Sequence, residues 1–129
     1  MAFRFDKLTI KAQEAVAGAQ ELAQSSGNPE TTPLHVLRAL LQESDGIVRP
    51  LLEKIGASVD QLTSTVGSEL DRLPKASGGS QPGVGVELKA VLDDASGQAE
   101  QMQDEFVSTE HLFYSLAKVK SPAQSLLEL

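Results

Sequence analysis

Apolar side chains recur at spacings of three and four along most of this chain, a rhythm that reads as one helix after another. Leu8, Ala12, Ala15, Val16, Ala19, Leu22 and Ala23 predict an amphipathic helix over residues 9 to 25, capped by Thr9 and ended by Ser25-Ser26-Gly27-Asn28-Pro29. Thr32, with Pro33 at the first helical position, opens a second helix whose stripe is Leu34, Leu37, Leu40 and Leu41. A third, short helix runs through Ile47, Val48, Leu51, Leu52 and Ile55 to Gly56. Pro50 inside it is expected to remove one backbone bond or bend the axis. Ser58 and Gln61 form a capping box that starts a fourth helix through Leu62, Val66, Leu70 and Leu73, closed by Pro74.

Residues 74 to 83, Pro-Lys-Ala-Ser-Gly-Gly-Ser-Gln-Pro-Gly, have the composition of a flexible linker and divide the chain in two. After it Val86, Leu88, Val91, Leu92, Ala95 and Ala99 predict another amphipathic helix. Ser108 caps one with Leu112, Phe113 and Leu116, and Ser121-Pro122-Ala123-Gln124 opens a last one. No strand alternation of useful length is present.

The halves repeat each other. A shift of 76 lays His35 on His111, Ala19 on Ala95, Ala23 on Ala99, Asn28 on Asp104, Thr32 on Ser108, Leu37 on Phe113 and Leu40 on Leu116. With a one-residue adjustment Leu51-Leu52 fall on Leu126-Leu127. The expected architecture is one all-α domain over residues 1–129, a pseudo-twofold duplication of a four-helix repeat. Repeat one spans 5–73, the linker 74–83 and repeat two 84–129. The second repeat is expected to be incomplete, since nothing in it matches the helix from Ser58 to Leu73.

A length of 129 residues with 40% apolar positions suits one domain with a real core. With 11 basic against 18 acidic residues the net charge is −7, which repels phosphate backbones and anionic lipid, so neither nucleic acid nor membrane is an expected partner. Only 4% of residues are aromatic and Trp is absent, which removes the stacking platforms of single-strand binders. There is no Cys, hence no disulfide framework or thiolate zinc site. No secretion-signal layout or membrane-length apolar run is found, and the expected compartment is cytoplasmic.

Candidate chemistry is sparse. Without Cys, and with two His set 76 residues apart, the chain shows no nucleophile-base pair, so no catalytic residue and no metal ligand is assigned. The third position after each cap gives both His a repeated structural role, such as bonding to the preceding loop. Gly78-Gly79-Ser80-Gln81-Pro82-Gly83 has the span of a phosphate loop, but Val84-Gly85 stand where Lys and Ser or Thr must reach phosphate and magnesium. Asp93-Asp94 and Asp104-Glu105 are sequence neighbours that point apart on a helix and read as solvated faces.

Three runs carry a resemblance: Phe5 to Ala15 (FDKLTIKAQEA), Thr32 to Leu41 (TPLHVLRALL) and Val107 to Leu112 (VSTEHL). In this order and offset, with Leu70-Asp71-Arg72-Leu73-Pro74 before the linker, the chain resembles the duplicated N-terminal domain of Clp AAA+ chaperones, and the ClpB branch more than ClpC. ClpC-like domains that recognise phosphoarginine carry Glu before His in both repeats; here Pro33-Leu34-His35 breaks the first copy and only Glu110-His111 keeps it. The resemblance implies a domain tethered to two ATPase modules in a hexameric ring that threads aggregated polypeptide, and it allows a DnaK-type chaperone as a further partner. ATP and Mg would belong to that full-length protein, with no cofactor in this domain.

The implied task is capture of exposed apolar segments of unfolded or aggregated polypeptides, the alternative being adaptor docking in a ClpC/ClpA-type unfoldase. Thr9, Asp104 and Glu110 match polar family positions near the substrate surface. The bland roles of the same residues are a helix cap, a helix end and a charge at the positive end of a helix dipole. Family members place apolar residues where Asp94 and Gln98 stand here, which shortens or shifts the groove. The expected seam lies where the 86–103 helix meets the cap of the 108–118 helix, with Leu92 or Phe106 presenting apolar surface inside a rim of Asp104, Glu110 and, across the pseudo-twofold, Thr9. Such an acidic rim favours segments carrying Lys or Arg beside apolar residues.

Overall fold

The computed structural model describes residues 4–43, 45–76 and 81–128. The 77–80 part of the predicted linker, and with it half of the phosphate-loop-like run, lies outside the described residues. After a 3-10 turn at Phe5–Lys7 come helices α1 (Ile10–Ser25), α2 (Pro33–Gln42), α3 (Val48–Lys54), α4 (Val59–Asp71), α5 (Val86–Gln101), α6 (Thr109–Lys118) and α7 (Pro122–Leu126). Thr9, Ser58, Ser108 and Ser121 each cap the helix that follows by accepting a backbone N–H two or three residues into it. The fold is mostly helical, as the periodicity predicts, with very little strand.

Helix α2 is the hub. Seven of its ten residues are buried, and it touches every other α-helix. Small residues on α1 (Ala12, Ala15, Ala19, Ala23) let α2 approach closely, so that a Cβ added to Gly18 would sit 3.8 Å from that of Ala39. Leu37, Leu40, Leu41, Leu88, Leu92, Leu112 and Leu116 fill the shared interior. At about 1.5–3 kcal/mol for each fully buried large aliphatic side chain, this common core is the main stabilising element.

The two halves are built alike in detail. Helix α1 ends with Gly27 at φ 74°, Gly27 N–H on Gln24 O and Asn28 N–H on Ala23 O. Helix α5 ends the same way, with Gln103 at φ 59°, Gln103 N–H on Glu100 O and Asp104 N–H on Ala99 O. Both pairs lie 76 residues apart.

Two short parallel pairings were not foreseen. Strand β1 (Glu30–Thr31) pairs with β2 (Gly83–Val84), and Leu8 forms a single bridge with Val107. Under the shift of 76 these are one arrangement seen twice, Leu8 with Val107 and Val84 with Thr31. The lead-in to each repeat therefore bonds to the loop of the other: Thr9 N–H donates to Val107 O at 2.9 Å and Gly85 N–H to Thr31 O at 3.2 Å. Two-residue strands have no periodicity to detect.

Pro50 removes no backbone bond from α3. It is the third residue of a helix that begins at Val48, where its missing N–H has no intrahelical acceptor in any case. Nor does the whole predicted stripe of α3 face the core, since Val48 and Leu52 are buried while Ile47, Leu51 and Ile55 are exposed. Both ends of the predicted linker are held: Asn28 Nδ2 donates to Pro74 O at 3.0 Å, Ala76 N–H to Gly27 O at 2.8 Å and Gly83 N–H to Pro29 O at 3.1 Å. Among the described residues no helix is long and apolar enough to cross a membrane.

Candidate functional site

Each His closes a capping box. The backbone N–H of Thr32 donates to His35 Nδ1 and that of Ser108 to His111 Nδ1, both at 2.9 Å. A nitrogen that accepts carries no hydrogen, so the hydrogen sits on Nε2 in both rings. His35 Nε2 then donates to Asn28 Oδ1 at 2.9 Å, and His111 Nε2 to Asp104 Oδ2 at 3.0 Å. Burial pushes the His35 imidazole below its ordinary value of 6.5. These are the loop contacts the repeated placement of the two His predicts. Among the described residues no group of three or more His, Asp or Glu is placed to hold a metal.

The surroundings of the two His differ. In the first repeat residues 74–76 lie across the turn and His35 is fully covered. In the second the corresponding space is an open cleft of about 750 Å³ between the C-terminus of α5 and the N-terminus of α6. Met102 (63% exposed), Phe106 (44%) and Tyr114 (55%) supply its apolar surface. Asp104, Glu105 and Glu110 supply charge, and no Lys or Arg lines it. Among the described ion pairs, neither Glu105 nor Glu110 has a cation.

Of the residues singled out in the sequence, the cleft brings together Asp104, Phe106 and Glu110. Leu92 is a correction: at 1% exposure it belongs to the core beneath and offers no surface, because its face of α5 is the one turned to α6. Thr9 is not in the lining either. Its Oγ1 caps α1 by accepting Ala12 N–H at 3.2 Å, and its backbone N–H holds Val107 next to Phe106. Asp94 is not in the lining and accepts from Ser115 Oγ at 2.8 Å and Lys118 Nζ at 3.1 Å, while Gln98 stays in the lining. Met102 and Tyr114 were missed. Met102 lies past the predicted stripe and Tyr114 off the stripe of α6, so only the exposure of both reveals them.

A second cleft of about 690 Å³ lies between α3 and α6, lined by Ile47, Pro50, Leu51, Phe113, Tyr114 and Ala117 among others. It corresponds to the seat of α4 in the first half. Helix α4 packs on α2 and reaches Leu126 of α7, and the counterparts of α2 and α7 under the repeat are α6 and α3. A helix placed on this half as α4 is placed on the first would lie over these side chains.

Fold and cleft together define a class: a duplicated helical domain whose two copies share one core, with one turn covered and the other open. The chain belongs to the Clp repeat (R) N-terminal domain family, whose model matches residues 7–129. It is 51% identical over 129 residues to the chaperone protein ClpB of Rhodopirellula baltica, covering 100% of this chain and 15% of that protein. With the ClpB of Mycobacterium leprae it shares 44% identity over 120 residues, 92% of this chain and 14% of that protein. The chain thus spans only a small part of these relatives.

Among solved structures it is similar to the N-terminal domain of the ClpV1 ATPase from E. coli EAEC Sci1 T6SS, with TM-score 0.85 and 26% identity over 97% of this chain and 79% of that one. A structure described as a peptide from the EAEC T6SS Sci1 SciI protein matches with TM-score 0.85 and 27% identity, over 97% and 82%. The Hsp104 N-terminal domain from Candida albicans shares the fold at TM-score 0.87 and 20% identity, over 95% and 82%.

Proposed function

We propose that this chain is the polypeptide-capturing domain of a ClpB-type disaggregase, and that the α5–α6 cleft takes exposed apolar segments of unfolded or aggregated proteins. The observation that carries this reading is the cleft itself, where three large apolar side chains stay exposed beside three carboxylates. Buried apolar area gives sequence-tolerant affinity, and a charged rim steers encounter and register. A similar structure whose description names a peptide from the SciI protein supports polypeptide as the ligand class.

On this reading the chain binds and does not catalyse; ATP chemistry, the hexameric ring and any DnaK-type partner belong to the longer cytoplasmic protein of which this is one domain. The isolated chain should therefore give no binding heat with ATP up to millimolar concentration in calorimetry. A saturable signal would overturn that expectation.

The decisive experiment titrates a permanently unfolded, casein-like protein against Phe106→Ala combined with Glu110→Ala. Binding should weaken severalfold while stability stays within about 1 kcal/mol, as both side chains are exposed. Asp104→Ala is less suitable, because it also leaves the His111 Nε2 hydrogen without its partner. Unchanged binding of the casein-like protein would sink the site. Binding of folded candidate partners in place of unfolded ones would favour adaptor docking.

A further inference from the structure

In the first repeat the chain itself occupies the turn at the end of α1. Residues 74–76 cross the turn at the end of α1 and make two contacts with it. The Pro74 carbonyl accepts from Asn28 Nδ2 at 3.0 Å, and the Ala76 N–H donates to the Gly27 carbonyl at 2.8 Å. Both protein groups belong to a turn that is repeated at Gln103 and Asp104, with the same left-handed residue and the same pair of turn bonds. In the second repeat no described segment lies there. Among the described residues nothing donates to the Gln103 carbonyl, and Asp104 uses only Oδ2, toward His111.

One atom changes the chemistry. Asn28 and Asp104 each accept from a His through one oxygen, but the second atom is an amide donor in Asn28 and a carboxylate acceptor in Asp104. A ligand placed as 74–76 is placed would keep its N–H on the turn carbonyl and would have to replace its own carbonyl by a donor. The neighbouring Glu105 and Glu110, with no Lys or Arg in the lining, extend the demand for positive charge. Apolar contact with Met102, Phe106 and Tyr114 is available on the same wall.

Resting on the polypeptide-capture reading, we propose that the α5–α6 cleft binds an extended segment in the pose of residues 74–76. A backbone N–H of the ligand bonds to the Gln103 carbonyl, and a Lys or Arg side chain beside apolar residues bonds to the free Oδ1 of Asp104. The first repeat does not compete, because its own chain fills the equivalent position.

The test uses two labelled peptides, one apolar with a single central Lys and one with norleucine in its place, titrated by fluorescence anisotropy against the wild-type chain and Asp104→Asn. The Asn variant keeps the bond from His111, as Asn28 does from His35, and a thermal melt checks its fold. Wild type should bind the Lys peptide about tenfold more tightly than the norleucine peptide, the scale of one charge-assisted hydrogen bond, and Asp104→Asn should erase that preference. The norleucine peptide should bind both proteins equally. Equal affinity of wild type for the two peptides overturns the proposal without needing the variant. A preference for Lys that persists in a folded Asp104→Asn overturns it too, with polypeptide capture left standing. If neither peptide nor a casein-like unfolded protein binds wild type, the underlying reading fails with it.

Discussion

At the scale of single residues, Asn28 and Asp104 show how one side-chain amide decides what a duplicated turn does. Asn28 ties His35 to the chain that leaves α4, and the result is a sealed, neutral network. His35 makes that network pH-sensitive. The unfolded chain binds a proton there near 6.5, whereas burial delays protonation of the folded chain to lower pH. Unfolding therefore takes up a proton below that value. The His35 contribution to stability is complete above pH 6.5 and should be lost as pH falls toward the folded value, by at most ~1.4 kcal/mol per pH unit. Urea unfolding between pH 7 and pH 5 should show this slope, and His35→Gln, whose amide can still receive the Thr32 N–H of the capping box, should flatten it. An unchanged slope in that variant would assign the effect elsewhere.

Among the elements, α3 departs most from expectation. Its proline costs no backbone bond because the helix starts only two residues earlier, at Val48, and the first helical donors are unpaired in any helix. Arg49 helps to seat it by donating from Nη1 to the Leu41 carbonyl at the end of α2, at 2.9 Å. Pro50→Ala should accordingly change stability by less than about 1 kcal/mol, measured by chemical denaturation, against the ~3 kcal/mol typical of a helix-interior proline. A gain near 3 kcal/mol would mean that the proline strains the helix after all.

For the molecule as a whole, the repeats are interlocked and not merely abutted. Each lead-in bonds to the partner repeat's loop, through Leu8 with Val107 and Val84 with Thr31, and α2 packs on both α5 and α6. Covalent continuity between the halves should then be dispensable once folded. With a protease site inserted at 77–80 and cut, the two fragments are expected to co-elute in size exclusion and to separate only in denaturant. The amides of Thr9, Val107, Gly83 and Gly85 should exchange slowly in both the cut and the intact protein, since each donates across a loop. Immediate dissociation on cutting would show that the linker, and not the interlock, holds the halves.

What the sequence determined by itself was everything periodic or local. The helices follow from apolar spacing, and the side-chain caps at Thr9, Ser58, Ser108 and Ser121 from residues whose oxygens reach a free N–H a few positions on. The duplication, with its paired His, was legible because a shift of 76 preserves those local signals. Asp104 and Glu110 were singled out by the resemblance to Clp N-terminal domains, and Phe106 by its place beside the cap at Ser108. Tertiary structure alone decided the rest. Leu92 and Phe106 are equally apolar in sequence, and only the packing of α5 on α6 buries one and exposes the other. Whether a turn is open depends on where a chain distant in sequence runs, and residues 74–76 cover the first turn while leaving its twin uncovered. Pairings of two residues across 53 positions and of one across 99 leave no local trace, because backbone N–H and C=O groups bond to whatever partner the fold brings within reach.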